Sequence, residues 1–254
     1  MKSKMFLIFL LVIFQYTELL AGPGGKIARV LFDSPIGRII LIILTIVLLP
    51  VIIYVNLKEY LGTRKTKKDL KELARENYEL FDEIILKNRV TDIFNRVHKG
   101  WSNQNMEECS EYMSDWYWQN QQIVYLDKWE KQGMVNICNV KKINHIKPLH
   151  IRVSNNKDFN GTRIMYAISA NMEDYLVKKT NSAIVEGKKG FRDIETVWTI
   201  VLIDGIWKLD NIEESVMTLK YAKMENILYR NVLKPAETEN KQIDIDNNLQ
   251  QTSK

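Results

Sequence analysis

The sequence predicts an α+β fold behind a membrane helix. Three observations lead to that prediction. An uncharged aliphatic run covers 39–55, interrupted only by Thr45, Pro50 and Tyr54. Apolar residues at helical spacing follow it as far as Gly133. Period-two alternation with turn signals then runs to about Ile212. The full expectation is an N-terminal signal, one transmembrane helix, and an α+β cone with an added C-terminal helix. The cone consists of about three helices packed on a curved antiparallel sheet.

Residues 1–21 have the three parts of a secretory signal. Lys2 and Lys4 form the charged start, 5–14 is an apolar core too short to span, and Leu20-Ala21-Gly22 offers a cleavage site. Residues 22–35 form a short extracytoplasmic linker rich in glycine. The span is 36–57, because a helix needs about 17–25 residues to cross a bilayer. A basic juxtamembrane segment, 58–68, follows. Lys58, Arg64, Lys65, Lys67, Lys68 and Lys71 crowd behind the span, against Lys26, Arg29 and Arg38 ahead of it. A basic excess marks the cytoplasmic side, so the C-terminal domain is expected there, below a single-pass inner-membrane anchor. The six basic residues are candidate contacts for anionic phospholipid.

The 254-residue chain carries 36 basic and 31 acidic residues, a net charge of +5. That surplus lies largely beside the span, so a nucleic-acid partner is not expected. Roughly 165 residues remain for one soluble domain with its own core. Cys109 and Cys138 have no metal or redox spacing and read as buried reduced thiols.

The domain proper is expected over 69–214. An amphipathic helix over 67–87 puts Leu70, Leu73, Ala74, Tyr78, Phe81, Ile84 and Ile85 on one stripe. A second, over 88–102, turns Val90, Ile93, Phe94, Val97 and Trp101 inward. One or two turns over 106–112 lead to a third helix, 116–133, capped by Asp115 and rich in Trp and Tyr. Strands follow at 135–147, at 149–154 beyond Pro148, and at 163–174. A polar loop spans 180–190. Strands 191–203 and 206–212 form a hairpin across Asp204-Gly205. The added C-terminal helix is expected over 215–233 and a polar disordered tail over 234–254.

Such a cone can hold a pocket between helices and sheet. Trp101, Trp118, Asp174, Tyr175, Trp198 and Trp207 are the candidate lining residues, with Asp174 and Tyr175 as a conceivable proton-transfer pair. The three histidines share no ligand spacing. His98 reads as surface or helix cap, and His145 and His150 as exposed beside Pro148. There is no phosphate loop, nucleophile elbow or zinc motif. The sequence therefore assigns no catalytic residue, no metal and no cofactor.

Three stretches together carry a family resemblance: IFNRVHKGWSNQNMEECSEYMSDWYWQN (93–120), MEDY (172–175) and FRDIETVWTIVLIDGIWKLDNIEE (191–214). Over 69–214 the chain resembles the C-terminal domain of the translocase-of-inner-membrane subunit 44 family. That resemblance implies the cone fold of nuclear transport factor 2. It also implies a membrane-bound scaffold that recruits partner proteins and touches anionic lipid, and it carries no catalytic residues. The chain departs from the mitochondrial pattern by having its own span and lacking a long motor-docking region. The expected function is thus a membrane-tethered scaffold or adaptor for membrane or translocation-associated proteins. The alternative is a cone-fold domain that binds or transforms a small hydrophobic molecule.

Overall fold

The computed structural model describes residues 34–228. The signal (1–21), most of the linker (22–33) and the tail (234–254) lie outside the described residues. The chain divides into two compact units after Asn56.

The described part of the first unit is the beginning of helix α1, Pro35–Leu73. Ser34 Oγ accepts from Gly37 N at 2.9 Å and caps its start. Pro50 is accommodated inside the helix. The aliphatic side chains here, Ile39, Ile43, Val47 and Ile53 among them, are about half exposed. This is one candidate membrane helix, by length and apolarity.

The second unit begins with the end of α1. Gly62, Thr66, Leu70 and Leu73 are buried and recur every three or four residues, so one face packs on the domain. The expected single helix over 67–87 is instead broken twice. Asn77 Oδ1 accepts from Leu80 N at 3.1 Å and starts α2, Tyr78–Phe81. Asp82 Oδ1 accepts from Ile84 N and Ile85 N and starts α3, Glu83–Asn103. Two side-chain caps outweigh the continuous apolar spacing. The new frame leaves Tyr78, Ile84 and Ile85 exposed and makes Leu86, Val90, Ile93, Phe94 and Val97 the buried stripe.

A 3₁₀ turn, Glu107–Tyr112, leads to α4, Asp115–Asn120. A π-helical segment, Gln121–Leu126, joins α4 to α5, Asp127–Lys131. Gly133, at φ 67°, ends this run where a side chain would be strained.

Four antiparallel strands follow in the order β1-β2-β3-β4. They are β1 Met134–Arg152, β2 Arg163–Lys178, β3 Ile184–Ile203 and β4 Ile206–Glu214. The two stretches either side of Pro148 form one strand. Register shifts at Val140/Lys142, Ile143/His145 and Pro148/His150 bend β1, and an edge strand tolerates proline beside a bulge. The loop expected over 180–190 is mostly strand. A short turn after Lys178 lets Ile184–Lys188 pair with Val177–Asp174, and Gly187 and Gly190 sit in β3 at positive φ. The β3–β4 hairpin turns at Asp204 and Gly205, both at positive φ, as a two-residue primed turn requires.

Alternation sorts the sheet faces. Tyr166, Ile168, Ala170 and Met172 join Trp198, Ile200, Leu202 and Leu209 against the α3 stripe, forming the main core. The opposite face carries a smaller cluster of Leu149, Ala167 and Val197 under Ala222. Ala222 lies on α6, Met217–Lys223, far shorter than the helix expected over 215–233. Beyond it the chain is extended to serve the sheet edge. Ile227 bridges Arg152, and Asn226 Oδ1 accepts from Ile151 N at 3.0 Å. Residues 229–233 lie outside the described residues.

Candidate functional site

The six basic residues after the span separate into two groups. Arg64, Lys68 and Lys71 are exposed, at i, i+4 and i+7. Arg75, just past the helix end, is also exposed and extends the row. They lie opposite the buried Gly62–Leu73 face, and none of the four makes an ion pair among the described residues. Lys65 and Lys67 are engaged internally. Lys65 Nζ donates to Met224 O at 2.7 Å and lies 3.4 Å from a Glu225 carboxylate oxygen. Lys67 pairs with Glu83. Lys58 is half-buried. Arg75 was absent from the sequence-derived set, because only the packing of α1 reveals which face remains outside.

The six pocket candidates are distributed over separate packing groups. Trp198 is 1% exposed, with its ring 5.0 Å from Phe94 and 5.6 Å from His98. Trp207 packs edge-on to Phe81 at 6.1 Å and donates Nε1–H to Leu80 O at 3.0 Å. Trp101 belongs to a third group with Tyr125 and Trp129. Trp118 is half-buried against the main core. Asp174 is exposed and Tyr175 half-buried; they make no hydrogen bond to each other. Adjacent strand residues point to opposite faces, which separates the conceivable proton-transfer pair. Partial desolvation raises the Asp174 carboxyl above its ordinary range, opposed by the Asn136 side chain. Across from this pair, a Cβ on Gly187 would stand 2.8 Å from Asp174 O, so only glycine fits.

The histidines depart from expectation. His98 lies within α3 and is half-buried, tilted against Phe94 and stacked on Trp198, with Nδ1 2.8 Å from Phe94 O. Burial lowers its pKa to about 4. His150 is 2% exposed, because the bend at Pro148 turns it under Tyr221. Burial, and then the charge of Lys65, lowers its pKa. His145 is half-buried, with Nε2 3.2 Å from Glu195. Both thiols are buried and free. Burial raises Cys109 to about 11 and Cys138 to about 12, so neither is a poised nucleophile.

Among the described residues, clefts open elsewhere on this unit, three of which bear on the site. One of about 280 Å³ is lined by Leu73, Phe159 and Leu228 together with Asp69, Glu72 and Glu76. A polar one of about 260 Å³ lies beside His98, Lys99 and Asn139. The third, about 470 Å³, is lined by Trp116, Arg163 and Asp210 among others. Asp210, 8% exposed, accepts from Trp116 Nε1 at 2.8 Å and from Arg163 Nε at 3.3 Å. Sequence reasoning placed Trp116 in an aromatic helix but missed this grouping, which joins positions 116, 163 and 210. Among the described residues no group of His, Cys, Asp and Glu is arranged to hold a metal ion.

No family profile matches the sequence, and no curated protein matches it. Among solved structures, the intermembrane space region of the chloroplast protein ARC6 is similar to 50% of this chain and 95% of its own. The identity is 14% and the TM-score 0.36.

Proposed function

We propose that the protein is a membrane-tethered scaffold whose α+β domain works at the cytoplasmic face. There it binds membrane or translocation-associated proteins and rests against anionic lipid. The observation that carries this reading is the row Arg64, Lys68, Lys71 and Arg75, left outward by a helix that begins in an apolar span. Each basic residue near an anionic surface contributes about 1 kcal/mol, so four in a row suffice for a stable contact. Tethering raises local concentration, which lets weak protein contacts matter. The resemblance to the translocase-of-inner-membrane subunit 44 family, with its cone-shaped domain, points the same way.

The small-molecule alternative has less support. Three of the four tryptophans expected to line a pocket, Trp101, Trp198 and Trp207, pack on Phe81, Phe94, Tyr125 and Trp129.

The test uses the full chain in nanodiscs, with Lys71→Cys carrying an environment-sensitive fluorophore. Buried Cys109 and Cys138 leave the new thiol as the reactive one. Replacing a third of the phosphatidylcholine by phosphatidylglycerol is expected to blue-shift the label. Arg64→Glu with Lys68→Glu is expected to abolish the shift. An unchanged spectrum in both lipids would remove the lipid contact. In-cell crosslinking followed by purification tests the protein contacts separately.

A further inference from the structure

An exposed tryptophan held in one place invites a reason. Trp116 is 55% exposed, although burying an indole is among the largest apolar gains open to a side chain. It is held by its own Nε1–H on Asp210 Oδ1. The other oxygen of Asp210 holds Arg163 through Nε alone. Asp210 is itself buried, so one carboxylate at the cleft anchors both side chains. The terminal nitrogens of Arg163 make no hydrogen bond among the described residues, and its side chain is 43% exposed. The loop that lines the same cleft is also braced. Asn156 Nδ2 donates to Asn160 O at 2.8 Å, Asn160 Oδ1 accepts from Asp204 N at 3.2 Å, and Gly161 N donates to Leu202 O at 2.8 Å.

We infer that this cleft is the protein-docking site of the scaffold, and that its occupant is a partner segment with one carboxylate beside one large apolar side chain. The carboxylate takes the free edge of the Arg163 fork, and the apolar side chain covers the Trp116 ring. The inference rests on the scaffold reading above. Three points of chemistry select this occupant. Asp210 already spends Nε of Arg163, and the two remaining nitrogens form the planar pair that a carboxylate matches. Trp and Arg anchored at a cleft with a braced loop are the residue types that dominate binding energy at interfaces. Asp115 is exposed on the same cleft and Asp210 already pairs with Arg163, so only the free Arg163 edge offers a carboxylate a place and a run of acidic residues is repelled.

The test is fluorine NMR on the full chain in nanodiscs, labelled with 5-fluorotryptophan. The six tryptophans give six resonances, and Trp116→Phe assigns the one in question. The probes are Ac-Ser-Gly-Phe-Glu-Gly-Ser-NH₂, its Phe-Gln twin and a Phe-Glu-Glu-Glu version. The Phe-Glu peptide is expected to move the Trp116 resonance saturably and the other five little. The Gln twin is expected to bind at least tenfold more weakly. Asp115→Asn is expected to strengthen the poly-Glu peptide several-fold. Arg163→Gln could disturb the fold through Asp210, so Arg163→Lys is the companion variant. It keeps the charge on Asp210, loses the planar fork, and is expected to weaken Phe-Glu binding about tenfold. A resonance unmoved at millimolar peptide, or moved equally by the Gln twin, would overturn the inference. If Trp116→Ala keeps every in-cell crosslink of the native chain, the cleft is refuted while the scaffold stands. If the native chain has no crosslinks either, the scaffold itself falls.

Discussion

At the scale of single residues, His98 shows how packing replaces chemistry. Its ring packs against both Phe94 and Trp198, which also touch each other, and burial holds its pKa at about 4 against an ordinary 6.5. Between those values the unfolded chain binds a proton that the folded chain refuses. Stability from this group is therefore complete above about pH 6.5 and falls steadily as pH drops toward 4. The full shift corresponds to about 3 kcal/mol, and the ring's partial exposure trims it to about 2. His98→Phe keeps the stacking and removes the titration. Urea denaturation of the detergent-solubilised protein at pH 7 and 4.5 is expected to show a smaller pH effect in the variant, by about 2 kcal/mol. An identical pH effect in both proteins would clear His98 of any part in acid sensitivity. The sequence could not show this environment, because His98 beside Lys99 has the local polarity of a surface position. Only the strand carrying Trp198, a hundred residues later, encloses it.

At the scale of elements, the contact of α1 with α6 is decided by one glycine. A Cβ on Gly62 would stand 2.4 Å from Ala222 O and 2.8 Å from its Cα. Backbone cannot yield as a side-chain tip can. Glycine within a helix costs up to about 1 kcal/mol relative to alanine, so a substitution there would ordinarily stabilise. Overpacking against backbone costs about 1–3 kcal/mol and wins. Gly62→Val is expected to lower Tm by about 4 °C, at about 2–4 °C per kcal/mol. It would also loosen Thr66 from Leu149 O and Asn226. A rise in Tm would show that the two helices are not pressed together. The legibility of elements follows the same logic of local against distant causes. The β3–β4 hairpin was readable, because Asp204-Gly205 and the Trp198, Ile200, Leu202 alternation are local. The caps at Asn77 and Asp82 were written in the sequence too, but the apolar spacing across them argued for continuity. The extension of β3 back to Ile184 was not readable, since its glycine-rich stretch resembles a loop until β2 lies beside it. The early end of α6 depends on Asn226 reaching β1, and no helical periodicity records that.

At the scale of the whole molecule, charge is ordered along the chain. Ahead of the apolar run stand Lys26, Arg29 and Arg38; behind it stand Lys58, Arg64, Lys65, Lys67, Lys68 and Lys71. Basic residues close to a span are retained on the cytoplasmic side, so we expect this asymmetry to orient the candidate membrane helix. The later charges of the domain do not contribute, because they are nearly balanced and lie beyond the segment that flanks the span in the sequence. Alkaline phosphatase fused after the last residue is therefore expected to be inactive in a bacterial inner membrane, and a fluorescent protein fused there to fluoresce. Reversal of Arg64, Lys68 and Lys71 to Glu tests the cause without touching the core, since all three are exposed and unpaired among the described residues. It removes three of the seven basic residues over 58–75, leaving four against the three ahead of the span. The native preference then loses most of its basis, and a mixed population with measurable phosphatase activity is expected. If the native fusion is active instead, the domain faces outward and the lipid-contact row meets the opposite leaflet. If the native fusion is silent and the reversed one equally so, orientation is set by the segment before the span.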